Sequence, residues 1–246
     1  MERYTVTEVS LLAGKIMLQS GAETYRVEDT MVRIAQSFGM TNAQAHATPT
    51  AIMFATDTTE PTNFVRILQR ETDLHKVTQV NGISRAISGG HLDVTEAAKA
   101  LEAIGNQKDT YPNYIQLLAA AFASSCFTIM FNGSWLDFLP AFVVGATGYA
   151  LMSYFHDMLK IRFFAEFLAS GSIGIFAFFL IQFGLGHEID KIIIGSIMPL
   201  VPGLLITNAV RDLMAGHLVS GITKAAEAFL TAAAIGAGIA VVFFIL

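Results

Sequence analysis

Five apolar windows, each long enough to form a membrane-spanning helix of about 20 residues, fill the second half of this 246-residue chain. Almost no charge interrupts them. They cover residues 114–131, 138–155, 163–183, 192–210 and 225–246. Residues 113–246 carry 16 of the 19 Phe but only 12 charged side chains, whereas residues 1–112 carry 23 of the 35. We therefore predict an α-helical transmembrane bundle of five spans, residues 113–246, after a separate domain, residues 1–112.

Basic residues between the predicted spans indicate how the bundle is oriented, because Lys and Arg are retained on the cytoplasmic side of a bilayer. With the N-terminal domain in the cytosol, only Lys191 lies outside. Four basic residues then lie inside: Lys160, Arg162, Arg211 and Lys224. No basic region precedes the first apolar stretch, so we expect no signal peptide. The N-terminal domain is therefore predicted to be cytosolic and the C-terminus to lie outside.

Residue periodicity predicts four helices and two strands in residues 1–112. Apolar residues three to four positions apart predict the helices, and runs of β-branched and aromatic residues predict the strands. In chain order the elements are two helices over 5–39, strands over 45–56 and 63–69, and helices over 74–88 and 94–104. Turn-forming residues 57–61 join the two strands as a hairpin. The first domain is therefore predicted to be α+β.

Two prolines interrupt the fourth predicted span. Pro199 and Pro202, followed by Gly203, leave backbone groups unpaired at membrane depth. Lipid does not tolerate such groups unless the backbone is buried in protein or lines a wet cavity. Broken helices of this kind often form transport sites. A simple structural kink is the alternative interpretation.

Polar side chains follow this break and also occur in the first span. Asn208 and Asp212 are four residues apart and share a helix face, with Arg211 beside it. Such groups suit a small zwitterionic or anionic solute, although Arg211 and Asp212 could instead only mark the cytoplasmic end of the helix. Ser124 and Ser125 place hydroxyls in the first span, either toward a solute or back onto their own helix.

Two carboxylates lie inside apolar windows. Glu166 and Glu227 are each about one turn from the predicted cytoplasmic end of a span. An ionisable group within a span is costly and is therefore a functional candidate. Either carboxylate could carry a coupling proton, as could Asp212. The alternative is that each side chain reaches out to the membrane interface.

Signatures of catalysis, metal binding and nucleic-acid binding are missing from the sequence. The six His lack metal-ligand spacing, and no phosphate loop, zinc motif or nucleophile elbow occurs. The net charge is −5 and no basic patch is present, which argues against nucleic acid as a partner. We predict no enzyme activity, no cofactor and no metal.

Three groups of residues together resemble one family. They are Ser20-Gly-Ala-Glu-Thr-Tyr-Arg-Val-Glu28, then Asn132-Gly-Ser-Trp135 with Asp137, and finally Pro202-Gly203 through Asn208, Asp212, Gly216, Ser220, Gly221 and Glu227. This combination resembles the threonine/serine exporter family of bacterial membrane proteins, and the resemblance covers nearly the whole chain.

The resemblance implies secondary active export of threonine and serine, driven by the proton gradient. Relatives split into two polypeptides imply succinate export as an alternative. Full-length members carry about twice as many spans as this chain. The chain therefore resembles the larger subunit of a split exporter, an oligomer with a second small membrane subunit in the bacterial inner membrane.

A different hypothesis places the function in the first domain. Gly21, Glu23, Arg26 and Glu28 would then form the site of a sensor or an enzyme, with the membrane part as its scaffold. The alternative for this motif is a helix–turn–helix corner held by an ion pair. A third hypothesis, a homo-oligomeric pore, is opposed by the low polar content of the spans.

Overall fold

The computed structural model describes residues 4–107 and 111–245, which are mostly helical with one small sheet. The chain divides into two compact units. The first unit comprises Met1–Asp109 and Leu204–Ala225, and the second comprises Thr110–Gly203 and Ala226–Leu246. The segment that follows the proline break thus belongs to the same unit as the N-terminal part of the chain.

The N-terminal part of the first unit combines four helices with three strands. In chain order these are α1 (Val6–Gln19), α2 (Thr24–Ser37), β1 (Gln44–Thr48), β2 (Ala51–Ala55), β3 (Asn63–Arg66), α3 (Leu74–Ser88) and α4 (Val94–Asn106). Reciprocal capping boxes start two of the helices: Thr5 and Glu8 cap α1, and Asp93 and Glu96 cap α4. The four helices predicted from periodicity are confirmed.

The sheet has one strand more than predicted. Its three strands are antiparallel in the order β1-β2-β3. The prediction of one strand over residues 45–56 is wrong, because Thr48 pairs with Ala51 across a tight turn at Pro49 and Thr50. Proline fixes its φ and has no N–H to donate, which favours a turn at this point. The predicted hairpin is confirmed as β2 and β3.

The core of the first unit lies between the sheet and the helices. In β2, Ile52 and Phe54 are buried whereas Met53 is exposed, the alternation expected of a strand with one covered face. They join apolar residues from the inner faces of α1 and α2, including Val9, Met17, Val27, Met31 and Ile34. This packing fixes the corner between α1 and α2.

The remaining helices follow residue 112. They are α5 (Asn113–Met130), α6 (Phe138–Leu159), α7 (Arg162–Gln182), α8 (Ile189–Ile197), α9 (Gly203–Met214) and α10 (Leu218–Ile245). Short 3₁₀ turns at Trp135–Asp137 and Met198–Leu200 precede α6 and follow α8. By the division above, α9 from Leu204 onward and the first two turns of α10 belong to the first unit.

Four helices within the described ranges are long and apolar enough to cross a membrane: α5, α6 with its preceding turn, α7 and α10. Helices α8 and α9 form a pair bent by 61°, which would make a fifth span if the pair is counted as one. The bend lies at Pro202 and Gly203, so the break predicted from the prolines is confirmed.

Small residues allow the helices of the second unit to approach closely. A Cβ added to Gly145 would lie 2.1 Å from the Ser124 Oγ, and one added to Gly238 would lie 2.2 Å from the Ser170 Oγ. No side chain larger than hydrogen fits at either position without moving a neighbour. Such contacts let backbones pack against each other in lipid, where the hydrophobic effect does not drive helices together.

Candidate functional site

A tight corner between α1 and α2 forms one side of the candidate site. Gly21 has φ +84°, a conformation that residues with a Cβ rarely adopt. Glu23 occupies the N-cap position of α2 without a capping hydrogen bond from its side chain, and Thr24 is the first residue of the helix. The turn leaves two backbone carbonyls to accept hydrogen bonds from the opposite side: Gly21 O accepts from Asn208 Nδ2 at 2.8 Å, and Ala22 O accepts from Lys224 Nζ at 3.5 Å.

Asp212 lies opposite this corner and is completely buried. Its carboxylate accepts hydrogen bonds from the Thr24 N–H and the Thr24 hydroxyl, each at 2.9 Å, and from Lys224 Nζ at 2.6 Å. Lys224 is 3% exposed and also donates to Thr24 Oγ1 at 3.2 Å. The two opposite charges are therefore paired and hydrogen-bonded, as burial of charge requires.

Glu23 is buried beside this pair and contacts two arginines. Arg211 donates to its Oε1 at 2.5 Å, and Arg26 donates to its Oε2 at 3.3 Å. Burial acts to raise the pKa of Glu23. Hydrogen bonds from its own backbone N–H and from Arg211, together with the charges of both arginines, outweigh that effect and hold the pKa below its ordinary value.

Glu28, one turn further along α2, is surrounded by donors from two other segments. Its Oε1 accepts from the Ala47 N–H at 2.7 Å. The same oxygen lies 3.5 Å from His46 Nδ1 and 3.6 Å from His217 Nδ1. Ser220 Oγ donates to Ala47 O at 3.4 Å. Glu28 thus connects α2, β1 and the turn before α10.

These contacts join two groups of residues almost 190 positions apart in the chain. We call the following set the corner network: Gly21, Ala22, Glu23, Thr24, Arg26, Asn208, Arg211, Asp212 and Lys224. The sequence pointed to most of its members but assigned them to two competing sites, the N-terminal motif and the residues after the break. The structure brings them together within the first unit.

Sequence reasoning missed three members of the corner network as site residues. Lys224 served only as a marker of membrane orientation, and Ala22 and Thr24 were part of the N-terminal motif without a role of their own. A signal for Lys224 existed, because it directly precedes the apolar window 225–246, in the second turn of α10, and a charge in that position needs a partner. No local pattern identifies Thr24, since its partners are about 190–200 residues away.

Glu166 and Glu227, the carboxylates predicted within spans, meet at one arginine of the second unit. Arg162 Nε donates to Glu166 Oε1 at 3.1 Å, and Arg162 Nη1 donates to Glu227 Oε1 at 2.9 Å. Glu166 is 6% exposed. The structure thus joins α7 and α10 through a charged cluster, and Asp212, the third proton candidate, belongs to the corner network instead.

The other predicted residues lie within α5 and at the bend. Ser124 and Ser125 are buried, and their hydroxyls donate to the backbone of their own helix, to Ala120 O at 2.8 Å and Ala121 O at 3.1 Å. Ser125 also donates to Phe138 O at 2.9 Å. Pro199 lies in the 3₁₀ turn after α8, and Pro202 and Gly203 lie at the start of α9.

The motif around Asp137 forms a capped turn. Asp137 is fully buried and caps the turn by accepting from the Ser134 N–H. It also accepts from the N–H groups of His187 at 2.6 Å and Glu188 at 3.3 Å. Asp137 therefore fixes the loop between α7 and α8 against the start of α6. In the described part of the chain, no three His, Cys, Asp or Glu side chains are grouped to hold a metal ion.

Comparison with known proteins identifies relatives over nearly the whole chain. The family model ThrE, which describes threonine/serine exporters, matches residues 8–246. A Mycobacterium tuberculosis protein named "Probable threonine/serine exporter" is 22% identical over 95% of this chain and 45% of its own length. The "Threonine/serine exporter" of Corynebacterium glutamicum is 23% identical over 95% of this chain and 50% of its own length.

A third relative has a different name and a similar length. The Escherichia coli protein named "Probable succinate transporter subunit YjjP" is 26% identical over 97% of this chain and 93% of its own length. The chain thus spans about half the length of the two exporters and almost all of the succinate transporter subunit. No solved structure matches the chain.

Proposed function

The chain belongs to the threonine/serine exporter family, which consists of membrane transporters and not of enzymes, and we propose from this premise that it is one subunit of a secondary active exporter of threonine and serine. The observation that carries the proposal is the corner network, with its buried Asp212–Lys224 ion pair next to a broken helix. Because the relatives named as exporters are about twice as long, export by this chain is proposed together with a partner.

The chemistry of the corner network matches the groups of a small hydroxy amino acid. Such a solute has an ammonium, a carboxylate and a hydroxyl. Asp212 is an acceptor for the ammonium, and Lys224 and Arg211 are cations for the carboxylate. Thr24 and Asn208 offer a hydroxyl and an amide for the solute hydroxyl. In the structure these groups bind one another, so we propose that the solute exchanges with these internal contacts during transport.

The membrane arrangement is part of the proposal. We count the bent pair of α8 and α9 as one span, which gives five with α5, α6, α7 and α10. The balance of basic residues favours a cytosolic N-terminal domain and a C-terminus outside the cell. Arg211 and Asp212, near the end of α9, then lie on the cytoplasmic side, where an exporter takes up its solute.

Proton coupling is proposed for three carboxylates, those of Glu166, Glu227 and Asp212. Glu166 and Glu227 share Arg162 between α7 and α10, and Asp212 is buried in the corner network. A buried carboxylate that gains and loses a proton changes the stability of its surroundings, which is the requirement for linking proton movement to a conformational change.

The partner is proposed to be a second small membrane protein of the same family. Two observations support it: the chain spans half of the longer exporters, and it spans nearly all of a relative named as a transporter subunit. Transporters commonly enclose their site between two repeats, and a bundle of five helices supplies one of them. We propose that the two subunits form an oligomer in the bacterial inner membrane.

Succinate export is the second candidate function. The specific observation in its favour is the name of the relative that matches in length, the E. coli succinate transporter subunit. A dicarboxylate requires two cationic partners, and the corner network contains Arg26, Arg211 and Lys224. Export of threonine or serine would need Asp212, because its carboxylate binds the ammonium of the solute. Export of succinate would not, because the same carboxylate repels those of the solute.

The test is a release assay in cells without their own exporters. The chain is expressed with and without its small partner, and release of threonine, serine and succinate is measured. We expect release of a hydroxy amino acid that requires both chains and is lost in Asp212→Asn. Asp190→Asn is the matched control, because Asp190 is exposed and pairs with Lys191 at 3.5 Å. No release by a well-inserted pair would contradict the proposal.

A further inference from the structure

A small cavity lies within the first unit, between the end of α1, the start of α3 and the end of α4. Its volume is about 190 Å³. Pockets for drug-sized ligands begin at about 300 Å³, so this one suits a smaller molecule. Ile16 and Gly105 give it an apolar side, and a Cβ added to Gly105 would lie 3.6 Å from Ile16 Cδ1. We call it the α1–α3 cavity.

Three side chains of both charges line the α1–α3 cavity: Glu71, Asp73 and Lys76. Lys76 Nζ donates to Gln107 O at 2.7 Å, and Asp73 Oδ1 accepts from the Lys76 backbone N–H at 3.1 Å. In the part of the chain that the structure describes, no ion pair joins Lys76 to either carboxylate. An ammonium has three N–H donors, so Lys76 can still bind a ligand.

The mixture of charges selects among classes of ligand. A simple anion at Lys76 would face two carboxylates, and a simple cation at Glu71 and Asp73 would face the Lys76 ammonium. Among the residues that the structure describes, no three His, Cys, Asp or Glu side chains are grouped to hold a metal ion. A zwitterion avoids both repulsions, because its carboxylate binds at Lys76 and its ammonium binds at the two acids.

Uncharged polar side chains complete the lining. Gln19 and Ser20 lie at the end of α1, and Gln69 lies in the segment before α3. Their amides and hydroxyl both donate and accept hydrogen bonds, which suits a small solute that carries a hydroxyl. We propose that the α1–α3 cavity binds one small zwitterionic amino acid, at a site separate from the corner network.

The α1–α3 cavity shares a segment of chain with the corner network. The Glu71 N–H donates to Gln19 O at 2.7 Å, and the Asp73 N–H donates to Ser20 O at 3.0 Å. Gly21 follows directly, and a Cβ added there would lie 3.2 Å from Glu71 O. A ligand that holds Glu71 and Asp73 therefore also holds the turn at Gly21. Its role as a regulator of export rests on the proposed function, but its binding does not.

Binding is tested on the full chain, purified with its partner in lipid nanodiscs, by hydrogen–deuterium exchange of the amides in residues 67–77. Serine and threonine should slow exchange there in a saturable manner. Ethanolamine lacks the carboxylate of serine, and lactate lacks an ammonium, so neither should protect these amides at the same concentration. Equal protection by ethanolamine or by lactate would contradict a site for zwitterions.

Two pairs of variants connect the protection to the cavity. Lys76→Gln should weaken the apparent affinity by about tenfold, the effect of one hydrogen bond between charged groups. Lys99→Gln, on the exposed face of α4, is its matched control. Gly105→Leu should abolish protection by filling the cavity, whereas Gly82→Leu should not, because no atom lies within 4 Å of a Cβ added to Gly82. If Gly105→Leu does not fold, the lysine pair decides alone.

The inference is overturned if neither amino acid protects residues 67–77, or if Lys76→Gln and Lys99→Gln give the same protection curve. Its failure is distinguishable from failure of the proposed function. Release of threonine or serine without this protection would remove the site and retain the exporter. Protection that depends on Lys76, in a pair that releases neither amino acid, would support the site and contradict the exporter.

Regulation is tested separately, through the dependence of release on the internal concentration of amino acid. Lys76→Gln should shift this dependence to higher concentration, and Lys99→Gln should leave it unchanged. A dependence that is the same in both variants would contradict the regulatory role.

Discussion

Lys224 Nζ lies 2.6 Å from the Asp212 carboxylate, and water has almost no access to either side chain. The pair connects the start of α10 to the end of α9, and Thr24 connects both to the start of α2. A buried ion pair of this kind contributes little net stability compared with apolar residues of equal size. Net stabilisation is therefore a weak explanation for the pair, and the proposed function assigns it to transport instead.

Removal of one charge from this pair should destabilise the protein strongly. In Asp212→Asn, the Lys224 ammonium remains buried without its counter-charge, and the free energy of unfolding should fall by about 3 kcal/mol. Thermal or denaturant unfolding of the purified chain measures this change. The double variant Asp212→Leu with Lys224→Met should recover much of the stability, because no unpaired charge remains, yet it should not restore export. Recovery of both would assign the pair a structural role only.

Glu23 should make stability depend on pH in the acid range. The arginines and the backbone N–H keep its pKa in the folded protein below the ordinary value of 4.5. A lowered folded-state pKa adds stability that is fully present above the unfolded-state pKa and is lost as pH falls through the folded-state pKa. The wild type should therefore exceed Glu23→Gln in unfolding midpoint at neutral pH, and the gap should close on acidification.

The control for this pH series is Glu60→Gln, since Glu60 is exposed in the loop before β3. Its unfolding midpoint should follow the wild type at every pH. A gap between wild type and Glu23→Gln that stays constant from neutral to strongly acidic pH would show that the arginine contacts do not act through the charge of Glu23.

Much of the helical architecture could be predicted, because helices in lipid are specified by runs of apolar residues within one segment. The predicted span 114–131 corresponds to α5, Asn113–Met130, and the predicted break at Pro202 coincides with the bend. The turn at Pro49 between β1 and β2 was not predicted, because the residues on either side of it favour strand so strongly that a two-residue turn was not recognised.

The candidate site could be predicted only in pieces. Asp212 and Glu23 each stood out locally, as a charge near an apolar span and as part of a polar motif. Their juxtaposition depends on hydrogen bonds such as Asn208 to Gly21, which join residues 187 positions apart. Contacts of this kind arise from tertiary packing, and neither residue periodicity nor hydropathy contains them.

Two glycines of α10 should respond oppositely to the same substitution. In Gly238→Ala, the new Cβ would lie 2.3 Å from Phe167 O and 2.2 Å from the Ser170 Oγ, so α7 and α10 must separate. The free energy of unfolding should fall by about 2 kcal/mol. Gly236 has no atom within 4 Å of an added Cβ. Gly236→Ala should therefore be neutral or stabilise by up to about 1 kcal/mol through helix propensity.

Unfolding of the two alanine variants in the same detergent tests this packing. Equal effects at both positions would mean that α7 and α10 are not in close contact at Gly238. Loss of release in Gly238→Ala but not in Gly236→Ala would additionally show that the contact between these helices is required for transport.

Arg162 should be more important than its partial exposure suggests, because it serves two carboxylates. Arg162→Gln should lower the free energy of unfolding by about 1–2 kcal/mol and reduce release, since Glu166 and Glu227 then face each other without the shared guanidinium. Arg162→Lys keeps the charge but not the two-pronged geometry, and should give an intermediate loss.

Arg33→Gln is the comparison for Arg162, because Arg33 also pairs with a carboxylate four residues away, Asp29, on an exposed helix face. Exposed pairs contribute little to stability, so this variant should resemble the wild type in unfolding and in release. An Arg162→Gln variant indistinguishable from Arg33→Gln would contradict a coupling role for the cluster.

The central claim is tested most directly in vesicles that contain only the purified chain and its small partner. Labelled threonine, serine and succinate are loaded separately, a proton gradient is imposed, and movement of each solute across the membrane is followed for the wild type, Asp212→Asn and Asp190→Asn. We expect movement of threonine and serine that requires both chains, responds to the gradient and is lost only in Asp212→Asn. Movement of none of the three solutes, or equal movement in both aspartate variants, would contradict the account.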